Sequence, residues 1–246
     1  MRKKLIFVGS RAMIASLAII ADLTDMDVIG ILDHHYYGNK TDINGIPYIG
    51  DERWLLDKSN DQAQSWLRDC VFFPVNWHTG RQSINQTGPD LTELRKERIR
   101  ILEESKANVI NLIHPGIIGI NDIYSKYSTT TIGKGILLQS AVWIGPDNNH
   151  IGNYCQIEAG SFIGHDTTLG TNVLIAPKCY IGNGSRITVG DNSYIGAFSS
   201  FDFKHDGSDM IIGKNVTVWT RSIVKKATIP DNSIYTDTDR ILRKKL

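Results

Sequence analysis

An isoleucine or leucine stands at every sixth position from residue 151 to residue 187: Ile151, Ile157, Ile163, Leu169, Ile175, Ile181 and Ile187. That spacing fits neither an amphipathic helix nor an alternating sandwich strand. The residues that follow them are Gly, Glu, Gly, Gly, Ala, Gly and Thr, and the fourth residue after each of the first six is Cys155, Ser161, Thr167, Val173, Cys179 and Ser185. An aliphatic residue, a small one, two variable ones, then a small residue or valine is the pattern of a hexapeptide β-helix. Ile132, Leu138 and Ile144 share the period with an offset of one residue at His150, and Ile212, Val218 and Val224 resume it after the interruption from Phe201 to Met210. Each hexad makes one flat side of a triangular prism and three complete a coil, so the aliphatics stack inside along the axis. A single coil has no core, and neighbouring coils must cover one another. The corners demand compact residues, which accounts for the density of Gly and Ser. The period alone leaves the hand of the coil open.

The first hundred residues read differently. An apolar run at 4–8 ends at Gly9-Ser10, residues 12–23 are helix-forming, and Val28–Leu32 is a second buried-type strand closed by Asp33. Strand, turn, helix and strand make a βαβ unit, in which ligands sit beyond the carboxyl ends of the strands. Asp33 is therefore the best candidate to grip a polar ring of a ligand, with a turn cap before His34-His35 as the alternative. Gly45–Gly50 reads as a turn and edge strand and Val71–Pro74 as a further strand. Residues 90–106 read as a helix capped by Asp90, with Leu91, Leu94, Arg98, Ile101 and Leu102 at helical spacing. The expected organisation is an α/β, Rossmann-like domain over 1–107, a β-helix over 108–236 and a basic tail over 237–246. In the tail, Arg240, Arg243, Lys244 and Lys245 form a solvated end.

Composition removes several function classes. With 27 Lys and Arg against 26 Asp and Glu, the net charge of +1 supplies no field that would recruit nucleic acid or anionic lipid. Three cysteines, Cys70, Cys155 and Cys179, show no CxxC spacing and no even disulfide set, which points to a reducing compartment and away from a zinc finger. The apolar run after Met1-Arg-Lys-Lys is cut by Gly9-Ser10-Arg11 before it reaches signal-peptide length, and no run spans a bilayer. A soluble cytoplasmic protein is expected.

Among seven histidines, His165 differs by its place in the hexad Ile163-Gly-His-Asp-Thr-Thr168, at a variable position that points outward near a corner. Asp166 adjoins it, and Glu158 precedes it by about one prism side plus one residue, so either carboxylate could lie near the imidazole. A carboxylate on one ring nitrogen fixes the tautomer and leaves the other as a base, an arrangement worth about 10²–10⁴-fold in rate. Cys155 and Cys179 occupy inward hexad positions, which argues for packing rather than nucleophilic catalysis.

The stretch Ser161-Phe-Ile-Gly-His-Asp-Thr-Thr-Leu-Gly-Thr-Asn-Val-Leu-Ile-Ala-Pro177 resembles the catalytic segment of the sialic acid O-acetyltransferase and nucleotide-sugar N-acetyltransferase family, and Gly9, Asp33 and Leu112-Ile-His-Pro115 follow the family's order over nearly the whole chain. The resemblance implies a Rossmann-like domain followed by a left-handed parallel β-helix, acetyl-CoA as cosubstrate, no metal, and a homotrimer. It implies His165 as general base, Glu158 as its polar partner and Asp166 as its acidic neighbour. Ile181-Gly-Asn-Gly184 falls where a backbone N–H supports the thioester oxyanion, so Gly182 and Asn183 are carried over as acetyl-CoA residues. Gly9, Ser10, Arg11 and Asp33 are carried over as substrate-binding residues. The chain also departs from the pattern. Ala12 and Ile14 replace glycines of the first turn and Met13 its histidine, while Arg11 could meet a phosphate or carboxylate. Leu174 stands where a second histidine often follows the base, and Trp77 to Pro89 is an insertion. Lys225 and Lys226 could meet CoA phosphates or be ordinary surface lysines.

The leading expectation is acetyl transfer from acetyl-CoA to an amino group or hydroxyl of a sugar, for a surface glycan. A hexapeptide-repeat carbonic anhydrase would need three converging histidines, and 150, 165 and 205 are too scattered. A trimeric sugar-binding scaffold without turnover is the non-enzymatic alternative, favoured by the missing glycines and disfavoured by the outward Glu158, His165 and Asp166.

Overall fold

The structure is a computed structural model that describes residues 2–10, 13–75, 91–118, 124–182, 184–201, 208–225, 227–236, 238 and 240–243, with only the backbone at 91, 92 and 243. Arg11, Asn183, Lys226, His205, the expected cap Asp90, the insertion 77–89 and the tail lysines 244 and 245 lie outside the described residues. The chain divides into two compact units, Met1–Pro115 and Gly116–Leu246.

The first unit is an α/β layer. Its elements are β1 (Lys3–Val8), α1 (Ile14–Leu23), β2 (Met26–Leu32), β3 (Asp42–Ile43), β4 (Ile46–Gly50), α2 (Asp61–Asp69), β5 (Val71–Pro74) and α3 (Leu91–Glu104). The sheet order is β3-β4-β2-β1-β5, parallel except for the β3–β4 hairpin, so β3 forms the edge and β4 lies one strand in. Leu5, Ile6, Phe7 and Val8 of β1 are all buried because the strand is central and covered on both faces, as a continuous apolar run requires. α2 is capped by Asn60, whose side chain accepts from the Ala63 N–H. The unit extends beyond the expected boundary at 107 because Phe72 and Ile110 exchange backbone hydrogen bonds with residues 108 and 72, which ties 108–110 to β5.

The second unit is a left-handed parallel β-helix with three faces. The first face has strands Thr131–Ile132, His150–Ile151, Thr167–Leu169, Ile187–Val189, Met210–Ile212 and Thr228–Ile229; the second runs from Leu137–Leu138 through Gln156–Ile157, Leu174–Ile175, Tyr194–Ile195 and Thr217–Val218 to Ser233–Tyr235; the third holds Trp143–Ile144, Phe162–Ile163, Tyr180–Ile181, Ser200–Phe201 and Ile223–Val224. Apart from Ile132 in the first coil, which is half-buried, the inward aliphatics of each face are buried, and each such side chain stabilises the stack by about 1.5–3 kcal/mol.

Corners are turned by residues with left-handed backbone. Between the first and second faces these are Gly135, Tyr154, Asn172, Asn192, Asn215 and Asn232; between the second and third, Ala141, Gly160, Lys178, Phe198 and Arg221; between the third and first, Asn148 and Asp166. An L-residue there costs roughly 1–2 kcal/mol, least for Asn, and the Asn side chains also bond along the axis, Asn172 Nδ2 to Asn192 Oδ1 at 2.7 Å and Asn215 Nδ2 to Asn232 Oδ1 at 3.1 Å.

Register exposes a feature the hexad count hides. From inward residue to inward residue, every step around the first two kinds of corner is six residues, while the third-to-first corner takes seven from Ile144 to Ile151, six from Ile163 to Leu169, eight from Ile181 to Val189, eleven from Phe201 to Ile212 and five from Val224 to Ile229. Ile187, counted as the seventh sixth-position aliphatic, therefore pairs with Thr167, and Val189 takes the place above Leu169. Two extra residues at this corner mimic an unbroken period because Ile187 is itself buried. The expected tail is also shorter: Ile241–Arg243 pairs antiparallel with Ser233–Tyr235 and so belongs to the second face.

Candidate active site

His165 and Asp166 sit at the irregular third-to-first corner. The strand Phe162–Ile163 ends, the Gly164 N–H donates to the Ile181 carbonyl at 2.6 Å, and Asp166 turns the chain with φ near 57°. Holding the turn from the preceding coil, the Asp166 N–H donates to the Asp147 carbonyl at 3.2 Å and the Thr167 N–H to Asn149 Oδ1 at 2.8 Å; Asn149, itself buried, donates to the Gly145 carbonyl. The bend leaves the imidazole side chain 48% exposed, with Nδ1 2.6 Å from Asp166 Oδ2. Asp166 Oδ1 accepts from Asn148 Nδ2 at 3.1 Å. The hydrogen bond from His165, and then that from Asn148, hold the Asp166 carboxyl below its ordinary pKa, so it is an acceptor at neutral pH. With Nδ1–H donating to that carboxylate, Nε2 carries the lone pair, and among the described residues no hydrogen bond reaches it.

Beside the imidazole the corner is bare backbone. Gly145, Gly164 and Gly182 stack on successive coils, and a Cβ on Gly182, which has φ near 106°, would stand 2.7 Å from the Gly164 backbone. Gly182 is thereby fixed one coil beyond the base. Two residues before each glycine, Trp143, Phe162 and Tyr180 stack on the outer surface of the third face, with centroids 4.3 and 4.6 Å apart.

Glu158 is not at the imidazole. It leaves its strand at the second-to-third corner, a whole prism side before His165, and is buried there. Adding six residues moves a side chain to the next face, which the count along the chain does not convey. Cys155 and Cys179 are buried with Sγ directed at the Gly170 and Gly196 carbonyls at 3.0 and 3.2 Å, and burial pushes the Cys179 thiol up to about 12.

In the first unit, the strand order reverses between β1 and β5, and the Gly9–Ser10 turn lies there at the carboxyl end of β1. Gly9 has φ near 92°, and a Cβ would meet Arg98 Nη1 and the Val75 carbonyl at 2.5 and 2.7 Å. Asp33 is fully buried: its Oδ2 accepts from the Ser10 N–H at 2.8 Å, Ser10 Oγ at 2.7 Å and Arg98 Nη2 at 3.1 Å, and its Oδ1 from the His35 N–H at 3.0 Å. Tyr48 Oη donates to Ser10 Oγ at 3.0 Å. Arg98 also reaches buried Glu52 at 3.3 Å, and Glu52 in turn accepts the His34 N–H and faces His34 Nδ1. Helical spacing marks Arg98 only as a helix-face residue; its partners, Asp33 and Glu52, directly follow β2 and β4. Metal-ligand atoms of His34, Asp51 and Glu52 lie within 4.8 Å of one another, but Arg53 pairs with Asp51 and Arg98 with Glu52, so guanidinium groups already supply the positive charge.

A model of the bacterial transferase hexapeptide (six repeats) matches residues 150–183. None of the curated proteins matches the chain. Among solved structures, a mutant of perosamine N-acetyltransferase from Caulobacter crescentus, in complex with CoA and GDP-perosamine, is similar with a TM-score of 0.74 at 18% identity, over 97% of this chain and 96% of that one. The acetyltransferase domain of PglB from Neisseria gonorrhoeae, in complex with acetyl coenzyme A, gives 0.67 at 18% identity over 96% and 97%. WeeI from Acinetobacter baumannii AYE gives 0.65 at 17% identity over 98% and 100%. These likenesses establish the fold along the whole chain.

Proposed function

We propose that the protein belongs to the sugar acetyltransferase family it resembles and transfers the acetyl group of acetyl-CoA to the amino group of a nucleotide-linked sugar, with no metal. The observation that carries this reading is the exposed His165–Asp166 pair at the irregular corner, one ring nitrogen held by a carboxylate and the other open to solvent. The neighbours solved with CoA, acetyl-CoA and GDP-perosamine support the choice of donor and of acceptor class.

His165 Nε2 takes the proton from the acceptor nitrogen as that nitrogen attacks the thioester carbonyl. Asp166, kept ionised by its hydrogen bonds, stabilises the imidazolium that results. The new C–N bond forms, the negative carbonyl oxygen is met by a backbone N–H at Gly182 or Asn183, and the C–S bond breaks as the imidazolium returns its proton to the departing thiolate. No covalent enzyme intermediate is required. The nucleotide end of the acceptor binds at the switch point of the first unit, at Gly9, Ser10 and Arg11, with Asp33 acting through Ser10 because all of it is buried. The working form is a homotrimer in the cytoplasm, supplying acetylated sugar for a surface glycan.

The test is release of free thiol from acetyl-CoA with a panel of UDP-, GDP-, dTDP- and CMP-linked amino and hydroxy sugars, for wild type and His165→Ala. We expect one amino sugar to support turnover and the variant to lose at least about a hundredfold. Equal rates would remove His165 from the reaction, and preference for a hydroxy sugar would replace N- by O-acetylation.

A further inference from the structure

Along the first-to-second corner, side-chain amides tie left-handed residues to their counterparts one coil on: Asn172 Nδ2 donates to Asn192 Oδ1, and Asn215 Nδ2 to Asn232 Oδ1. The third-to-first corner has a rung of the same kind. Asn148, with φ near 53°, donates from Nδ2 to Oδ1 of Asp166, with φ near 57°, at 3.1 Å. Here the receiving residue is a carboxylate instead of an amide. It accepts and cannot donate, so it ends the ladder and takes a second donor, His165 Nδ1, on Oδ2 at 2.6 Å. The direction of the Asn148 amide is set from its other end. Its backbone N–H donates to Thr129 Oγ1 at 2.8 Å, and Thr129 Oγ1 donates to Asn148 Oδ1 at 3.2 Å. With Oδ1 engaged by a donor, Nδ2 is the end that meets Asp166. Thr129 is itself held to the corner: its N–H donates to the Pro146 carbonyl at 2.9 Å, Ser128 Oγ to the same carbonyl at 3.0 Å, and Thr130 Oγ1 to the Gly145 carbonyl at 2.7 Å. Arg186, the cation that also acts on Asp166, is paired with Asp209 at 2.9 Å, and Asp147 meets the Asp166 turn through its carbonyl.

We propose that Thr129 and Asn148 are positioning residues for His165. Their hydrogen bonds run in one direction, hydroxyl to amide to carboxylate, and turn Asp166 so that its Oδ2 keeps the imidazole proton on Nδ1 and leaves Nε2 as the basic nitrogen. A carboxylate on an exposed turn rotates about its last torsion while water competes for each oxygen, and a protein donor on each oxygen removes that freedom. Corner stability alone does not call for this arrangement, because an Asn at 166 would continue the ladder as Asn192 and Asn232 do. The proposal rests on His165 being the base of the acetyl transfer, and it adds what fixes that base's tautomer.

The experiment reads the tautomer directly on the full chain, by nitrogen-labelled histidine and long-range proton–nitrogen correlation above the pH at which the imidazole titrates, the His165 signal being assigned by its absence in His165→Gln. Asn148→Gly suits the left-handed backbone and removes the amide, and Thr129→Val removes the hydroxyl while keeping the branched shape. Wild type is expected to carry the proton on Nδ1. In Asn148→Gly the Nε2–H form should become at least as populated as the Nδ1–H form, and in Thr129→Val it should rise by a smaller amount. With KM for acetyl-CoA and for the acceptor unchanged, kcat should fall about fivefold in the first and about twofold in the second, as for one hydrogen bond lost at an exposed site. Joined to Asp166→Asn, Asn148→Gly should cost nothing further, because it acts through that carboxylate. An unchanged Nδ1–H form in both variants would overturn the proposal and leave the acetyltransferase reading standing, and so would losses in kcat that multiply in the double variant. Urea midpoints are measured alongside, and Thr129→Val decides the matter if Asn148→Gly lowers its own. Wild type that releases no thiol with any acceptor would overturn the acetyltransferase reading, while the tautomers still decide whether Thr129 and Asn148 position the ring.

Discussion

The carboxyl end of the first unit's sheet and the third-to-first corner of the β-helix both combine carboxylate and basic groups, yet they do opposite things with them. Around Asp33, both carboxylate oxygens are answered by protein groups, and burial keeps them so: Ser10, Arg98 and His35 donate to Asp33, and Arg98 leads on to Glu52 and His34. Around His165, the same kinds of groups stand on a left-handed turn, the imidazole half-exposed and one ring nitrogen without a hydrogen bond among the described residues. Low dielectric makes the first network a matter of stability, whereas exposure makes the second a matter of chemistry.

The contrast can be broken most forcefully at Arg98. Arg98→Met leaves Asp33 and Glu52 buried without their cation, and we expect a loss of about 3–5 kcal/mol in urea unfolding. His165→Gln, measured in the same way, should stay within about 0.5 kcal/mol of wild type. Losses of similar size in the two variants would erase the distinction. Smaller, and within the β-helix, Gly182→Ala should cost about 1–3 kcal/mol because it adds a clash with Gly164 to an unfavourable φ. Gly160→Ala, where a Cβ would meet nothing nearer than 3.5 Å, should cost about half as much. On the chemical side, Asp166→Asn should lower kcat about tenfold, roughly 1.4 kcal/mol of barrier, without moving the urea midpoint; an equal fall in stability would make Asp166 a corner residue first. The smallest effect expected is none at all. With its pKa pushed up to about 12 by burial, Cys179 stays a protonated thiol through pH 9, so iodoacetamide should leave it intact in folded protein and modify it only after unfolding, as followed by mass spectrometry.

Much of the fold was legible because its cause is periodic. The sixth-position aliphatics announce the coil, and the run Leu5 to Val8 announces a covered central strand. His165 and Asp166 were legible as well, since they are chain neighbours. What the sequence hid depends on three-dimensional register: Glu158 points from another corner, Ile187 passes for the next inward residue although two residues are inserted before it, and Arg98 meets Asp33 across 65 positions. Counting the inward steps by face would have revealed the irregular corner and with it the place of His165, because insertions in repeat folds collect where a binding surface is built.

The strand Ile241–Arg243 has a meaning for the solenoid as a material. A parallel coil ends on a row of unpaired N–H and C=O groups that could template another copy, and polymer growth would continue from any edge left open. By returning antiparallel along Ser233–Tyr235, this segment spends that row on its own chain and reverses the direction of the ladder. A second molecule that arrives there finds a strand running the wrong way for another coil. The reversal closes the second face, one of the three, to a further parallel strand.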